Sequence, residues 1–206
     1  MKRINRYAGL SLLIIMSFFT GHAQQKKLQV ALGYNINTPV GTSFRIAVAN
    51  SSFRGANGEI TYPLNKQLNI GLGVGFSDFY QKYPRQVYAT KNGDISAVLT
   101  NSIQTTPVLA KANFTFVKEG MVRPYIGAGA GFNWVNYSQL LGEFPSSTSS
   151  IHAAVSADAG VKLLLSKAKS AGLNLRANFN YLPYNNNGIK NLNNWGVHAG
   201  VFFQIR

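Results

Sequence analysis

The sequence has 206 residues, enough for one domain, and a formal net charge of +14 although only 13% of its residues are charged. Its 20 glycines and its 12% aromatic content are typical of a chain made of strands and turns. The absence of cysteine excludes disulfides and a lipoprotein anchor. Basic residues are scattered rather than clustered, and this argues against nucleic acid as a partner.

The N-terminus has the organisation of a secretory signal peptide. Three basic residues precede an apolar run from Leu10 to Phe19, which is too short to span a bilayer. The small residues Gly21 and Ala23 then predict cleavage after Ala23. We therefore divide the chain into a signal peptide, residues 1–23, and a single domain, residues 24–206.

The remaining chain alternates apolar and polar residues. In Leu68–Phe76 every second side chain is apolar and only Asn or Gly lies between, so a strand here would have one apolar face. Turn-forming residues follow each of eight such segments: Lys27–Ile36, Gly58–Leu64, Leu68–Tyr80, Ile103–Phe116, Arg123–Tyr137, Ile151–Leu165, Gly172–Tyr184 and Asn194–Arg206.

The connections between these segments are sorted by length. Short turns follow the second, fourth and sixth segments, whereas long polar stretches follow the others, at 37–52, 81–101, 138–150 and 185–193. Outer-membrane barrels have short periplasmic turns and long extracellular loops, while a soluble sandwich has no reason to sort its loops in this way. The predicted fold class is all-β, an eight-stranded antiparallel up-and-down transmembrane β-barrel with its apolar face toward lipid.

Two expectations follow if the apolar strand face lies toward lipid. A charge at Leu72 would lie against lipid, whereas a serine at Gly73 would face the lumen and be tolerated. Aromatic residues near the strand ends are expected to form interfacial girdles: Tyr34, Tyr62, Phe76, Tyr80, Phe116, Tyr125, Trp134, Tyr137, Tyr181, Tyr184 and Trp195.

The charged residues on the opposite strand face are Glu59, Lys111, Asp158, Lys162 and Arg176. Eight strands leave an interior that side chains can just fill, so these charges should pair across strands. Asp158 with Arg176 is the first expected pair, and Glu59 with Lys111 is the second. The cluster would either plug the barrel or line a narrow channel.

The loop at 81–101 supplies the candidate extracellular contacts, which are the aromatic and basic residues Tyr83, Arg85, Tyr88 and Lys91. A rigid scaffold usually displays its binding groups on such loops. A plain solvated loop is the alternative interpretation of the same residues.

Nothing in the sequence predicts catalysis or a cofactor. The sequence has no Gly-x-Ser-x-Gly, no His-Glu-x-x-His and no phosphate-binding glycine loop. Two histidines remain after the leader, His152 and His198, too few to predict a metal cluster.

Two stretches resemble a known family. Pro-Tyr-Ile-Gly-Ala-Gly-Ala-Gly at 124–131 is similar to the central strand of small porin-family outer-membrane β-barrels, the OmpX-like and OmpW-like group, and Thr106–Lys111 resembles its companion. The resemblance implies a barrel in a Gram-negative outer membrane, with periplasmic termini, surrounded by lipid and lipopolysaccharide and inserted by the barrel assembly machinery. It implies no common catalytic site. Such barrels commonly end on an aromatic residue, whereas this chain ends on Arg206.

Three functions are consistent with these observations. The first is an outer-membrane barrel with a structural or loop-mediated interaction role and no catalysis, for a ligand that the sequence does not name. The second is a narrow porin-like channel for small solutes. The third is a soluble exported lipid-binding barrel of lipocalin type, which the sorted loops disfavour because it would face its apolar residues inward.

Overall fold

The computed structural model describes residues 27–90, 93–165, 170–186 and 188–205, so the predicted signal peptide lies outside the described residues. Within these ranges the chain forms β1 (Leu28–Pro39), α1 (Thr42–Ala47), β2 (Gly55–Pro63), β3 (Leu68–Lys82), β4 (Gln86–Thr90), β5 (Gly93–Ala97), β6 (Leu99–Thr115), β7 (Val122–Leu141), β8 (Phe144–Leu164), β9 (Ala171–Tyr181), β10 (Pro183–Asn186), β11 (Ile189–Asn191) and β12 (Asn194–Ile205).

Eight of these strands close into an antiparallel barrel in the order β1-β12-β9-β8-β7-β6-β3-β2. The first and last strands pair along their whole length, from Leu28 opposite Ile205 to Pro39 opposite Asn194. Closure leaves no sheet edge within the barrel wall, as a membrane requires. The predicted fold class is confirmed. No helix among the described residues has the length and apolar character that a membrane crossing requires.

The two strand faces differ in polarity as the alternation predicts. Leu72 points outward and is 62% exposed, and Ile126 and Val201 are likewise exposed on the outer wall. Asn113 points inward and is only 1% exposed. The barrel therefore has an apolar exterior and a polar lumen, the reverse of a soluble lipid-binding barrel.

Eight of the eleven predicted girdle aromatics are exposed, but three are buried and that part of the prediction is wrong. Tyr125 and Tyr137 lie on the inward face of β7, and Tyr184 belongs to β10 at the barrel mouth. The prediction used position near a strand end and ignored parity, which places odd-numbered residues of β7 in the lumen.

The connections divide the barrel into two ends. The turn end carries the start of β1, the end of β12 and the short connections, and the loop end carries α1, the β4–β5 hairpin and the β10–β11 hairpin. The stretch 138–150 is not the loop that we predicted. Instead β7 and β8 continue through it and meet at a tight turn around Gly142, whose φ of 62° suits glycine.

The β7–β8 hairpin projects well beyond the membrane. Its strands have 20 and 21 residues, whereas about 9–11 tilted residues cross the hydrocarbon layer. Roughly half of each strand is therefore left outside the bilayer. Its serines and threonines are compatible with a strand that is solvated on both faces.

We expect Leu72→Arg to destabilise the barrel by about 2–4 kcal/mol, because the charge would lie against lipid near the middle of the apolar wall. Equilibrium unfolding in lipid vesicles measures this change, with Leu72→Ala as the uncharged control. Equal tolerance of arginine and alanine would contradict the outward facing of this strand position.

Candidate functional site

Four charged side chains from four different strands meet inside the barrel. They are Glu59 of β2, Lys111 of β6, Asp158 of β8 and Arg176 of β9, and we call them the charge ring. Lys111 Nζ lies 3.1 Å from Glu59 Oε2 and 2.7 Å from Asp158 Oδ2. Arg176 Nη1 lies 2.8 Å from Glu59 Oε2, and its Nε lies 3.9 Å from Asp158 Oδ1. Each cation therefore contacts both carboxylates.

The charge ring is buried and electrically neutral. Its side chains are between 2% and 10% exposed. Asn113 Nδ2 also donates to Glu59 Oε1 at 2.7 Å. Burying a charge is costly unless it is paired and hydrogen-bonded, and the ring supplies each charge with two opposite partners. This geometry suits a plug that holds the barrel walls together.

The contacts differ from the two expected pairs in one respect. Asp158 and Arg176 are the most distant partners, because Arg176 lies opposite Gly160 rather than opposite Asp158. The guanidinium instead reaches Glu59 on the far wall. Strand adjacency therefore predicts ion pairs poorly in a narrow barrel, because one long side chain can reach the opposite wall.

Glycines make room for the Lys111 side chain. A Cβ at Gly73 would lie 2.8 Å from Lys111 Cδ, and one at Gly129 would lie 3.2 Å from Lys111 Cγ. The lysine stem thus fills the space next to these two glycines. This geometry argues against the expectation that Gly73→Ser is tolerated, because the added side chain would have to displace a residue held by two carboxylates.

Lys162, the fifth predicted lumen charge, does not join the ring. Its Nζ donates to Gln29 Oε1 at 2.6 Å. It also lies 5.4 Å from the ring centroid of Tyr125 and 5.8 Å from that of Phe202. Among the described residues, none of the carboxylates lies within 4.0 Å of this ammonium. Lys162 is therefore held by one amide and two aromatic faces.

His198 continues the polar network on the loop-end side of the ring. Asn57 Nδ2 and Arg176 Nη2 both donate to its Nδ1, the latter at 3.3 Å. Its Nε2 donates to Asn178 Oδ1 at 2.6 Å. These contacts require a neutral imidazole with its proton on Nε2. The histidine thus has a structural position between polar neighbours rather than that of a metal ligand.

An apolar cluster closes the lumen at the loop end. Its fully buried members include Phe44 of α1, Val48, Phe79 of β3, and Leu182 and Leu192, which flank the β10–β11 hairpin. The rings of Phe44 and Phe79 meet edge to face at 5.0 Å, and Leu192 N donates to Leu182 O at 2.9 Å. We call this cluster the apolar cap. Sequence reasoning missed it, although the inward parity of Phe79 and the leucines within a polar loop were available signals.

A small polar chamber separates the charge ring from the apolar cap. Its volume is about 50 Å³, and asparagines dominate its wall. The Oδ1 atoms of Asn35 and Asn37 are buried there without a protein donor. A water needs about 10–15 Å³ of such space and several polar partners, so the chamber suits a few bound waters.

The four loop candidates have different surroundings. Tyr83 Oη donates to the carbonyls of Ile46 and Ala47 at 2.7 and 3.1 Å, which links the chain after β3 to α1. Burial raises the pKa of the Tyr83 phenol, and the neighbouring Tyr88 makes a smaller contribution in the same direction. Tyr88 Oη accepts from a neighbouring glutamine side chain. Arg85 is exposed, and Lys91 lies outside the described residues.

A closed eight-stranded barrel with an apolar wall and a filled polar lumen defines a membrane-spanning β-barrel protein. More particularly, this chain belongs to the outer membrane protein β-barrel domain family, whose model matches residues 8–203. The family places the protein in the cell outer membrane. In that setting the turn end is periplasmic and the loop end is extracellular.

Three solved structures illustrate proteins of similar fold. Neisserial surface protein A has a TM-score of 0.58 at 17% identity, with 90% of this chain and 100% of that chain covered. OprG from Pseudomonas aeruginosa has a TM-score of 0.54 at 11% identity, covering 88% and 96%. Ail, the attachment invasion locus protein of Yersinia pestis, solved with the heparin analogue sucrose octasulfate, has a TM-score of 0.50 at 17% identity, covering 87% and 100%. No curated protein matches the sequence. At these identities the likeness shows the fold alone.

We expect Lys111→Met to lower the free energy of unfolding by about 3–5 kcal/mol, because it leaves two buried carboxylates with Arg176 as their one remaining shared cation. Urea unfolding in lipid vesicles measures the loss. Lys66→Met is the matched control, since Lys66 forms an exposed pair with Glu119 at 3.7 Å that should contribute about 0–1 kcal/mol. Combining Lys111→Met with Glu59→Gln should cost less than the sum, and strict additivity would contradict the ring.

Gly73→Ala should destabilise the barrel by about 1–3 kcal/mol through overpacking against Lys111. Gly58→Ala is the matched control on the neighbouring strand, where the new Cβ would lie an ordinary 3.4 Å from Leu32 Cδ2. The same unfolding measurement compares the two. Similar stability of both variants would show that the Lys111 stem can move without cost.

Proposed function

We propose that this protein is a closed outer-membrane scaffold that binds extracellular partners through the edge of its projecting β7–β8 hairpin, without conducting solutes and without catalysing a reaction. The observation that carries the proposal is the free edge of β8 between Phe144 and Ile151. Outer-membrane lipid and lipopolysaccharide would surround the wall, and the barrel assembly machinery would insert it.

The free edge arises because β8 extends beyond the end of β9, the strand on its other side. Strand β7 pairs with β8 along the whole hairpin, from Leu141 opposite Phe144 downward. Strand β9 reaches β8 only at Val155, which lies opposite Tyr181. Just above that point the ring of Tyr184 covers His152. Among the described residues, none pairs with the remaining edge from 144 to 151.

A free edge presents a row of backbone N–H and C=O groups that can pair with an added strand. Proteins usually protect such edges with charges or proline. The segment Phe-Pro-Ser-Ser-Thr-Ser-Ser-Ile at 144–151 contains no charge, and its single proline, Pro145, lies at the tip. Phe144 is 66% exposed at the tip and Ile151 is exposed nearer the barrel. The edge therefore suits an extended peptide segment of a partner protein, with backbone pairing and apolar anchors at both ends.

The lumen supports this function over a channel. A solute would have to pass the charge ring and then the apolar cap, and the two barriers are stacked along the same axis. Two solved structures of similar fold also support a role at the cell surface, since Neisserial surface protein A and Ail are named for surface exposure and attachment. Function at the extracellular end is consistent with a barrel that is closed inside.

Hydrogen–deuterium exchange of the purified barrel tests the free edge. The backbone amides between Phe144 and Ile151 that point toward the free edge, about half of them, should exchange rapidly. An added extended peptide of alternating Thr and Val should protect these amides from exchange. Ser147→Lys should abolish this protection because a charge on the edge opposes strand addition. Ser96→Lys, on the exposed face of β5, is the control and should leave protection unchanged.

Equal peptide protection in both lysine variants, or none in the unaltered protein, would contradict the binding edge. Planar-bilayer conductance separates the channel alternative. The purified barrel should show no reproducible open steps, and their appearance would contradict the closed scaffold.

A further inference from the structure

The periplasmic mouth of the barrel contains a cavity of about 280 Å³ that the charge ring and the apolar cap do not involve. Basic side chains outnumber acidic ones in its polar lining. The lining includes five cations and one carboxylate among the described residues: Lys27, Lys66, Lys118, Arg123, Lys162 and Glu119. This imbalance is local and cannot be read from the scattered basic residues of the sequence.

The single carboxylate does not neutralise the cavity. Glu119 lies 3.7 Å from Lys66, and both side chains are more than half exposed on the rim. Arg123 donates through Nε to the carbonyl of Gly120 at 3.2 Å and has no carboxylate partner among the described residues. The other rim cations, Lys27 and Lys118, likewise lack a described carboxylate within 4.0 Å.

Lys162 is the deepest cation of the cavity. An ammonium has three N–H donors, and the contacts described above account for one of them, through Gln29. The charge ring above offers Lys162 only a longer-range attraction to Glu59, because the two ring carboxylates lie beyond 4.0 Å and already pair with the ring's own two cations. The partly buried ammonium therefore keeps two N–H donors available to a negatively charged group that enters from the periplasm.

We propose that this basic mouth binds a phosphate-class oxyanion, with Lys162 at its base and Arg123 on its rim. A phosphate carries several terminal oxygens that can accept from more than one cation at once. The volume is close to the lower limit of about 300 Å³ for small-ligand pockets, which suits a small anionic group and not a folded protein. Low-dielectric walls around cations of one sign also concentrate anions at the mouth.

Calorimetric titration of the full barrel in an uncharged detergent, with inorganic phosphate and then pyrophosphate as probes, tests this site. We expect saturable binding of one anion per barrel that weakens with added salt. Lys162→Met keeps a flexible stem over the aromatic rings but removes the charge. It should weaken binding roughly tenfold, the loss expected for one charge-assisted hydrogen bond.

Lys190→Met is the control, because Lys190 is an exposed cation of β11 at the opposite end of the barrel. It should leave phosphate affinity unchanged. Arg123→Gln, on the rim, gives a second variant that does not disturb the interior and should also weaken binding. Absence of saturable binding, or equal weakening by Lys162→Met and Lys190→Met, would overturn the proposal.

Two sources could supply the oxyanion, a phospholipid headgroup of the inner leaflet or a soluble periplasmic phosphate compound. Titration of the barrel in phosphatidylcholine and in phosphatidylglycerol nanodiscs distinguishes them. Weaker apparent phosphate affinity in phosphatidylglycerol would support a headgroup ligand, and equal affinity would support a soluble one. Loss of binding in both bilayers after saturable binding in detergent would likewise support a headgroup ligand, because phosphatidylcholine also carries a phosphodiester. Absence of binding in detergent overturns the site. Because the extracellular edge is not involved, this result is independent of the proposed scaffold function.

Discussion

Mutual neutralisation of four buried charges is the interaction on which the interior of this barrel depends. An eight-stranded wall encloses little more than side-chain volume, so an ion inside it cannot keep its hydration. Glu59, Lys111, Asp158 and Arg176 replace that hydration with one another. Because they come from strands distributed around the barrel, the same contacts that satisfy the charges also tie opposite walls together.

The rest of the lumen is arranged around this layer. Glycine positions such as Gly73 and Gly129 accommodate the Lys111 stem, and asparagines cover the polar chamber above it. The apolar cap then seals the extracellular mouth, while the periplasmic mouth stays open and basic. The barrel is therefore asymmetric along its axis. The two proposed binding surfaces therefore differ in character, since one is an uncharged strand edge at the loop end and the other a cationic cavity at the turn end.

The strands, their faces and the lumen charges could be predicted from the local residue pattern. Alternation of apolar and polar residues identified eight strands and the direction in which each face points. A register slip of one residue would move Leu72 into the lumen and Lys111 into lipid, so the alternation leaves one facing for each strand. The same parity identified the five lumen charges. It failed for the stretch 138–150, since solvated strands and loops share a serine-rich composition. It failed again for Tyr125, where closeness to a strand end was weighed above parity.

The sequence by itself determined that this chain is a lipid-facing barrel and which charges lie inside it, because residue parity along a strand is a local property. Only the tertiary structure decided that Arg176 reaches Glu59, that Lys162 stays apart from the ring, and that α1 and the β10–β11 hairpin close the mouth. These contacts join residues distant in the chain across a curved wall. Their distances depend on barrel closure and strand stagger, which no single segment encodes.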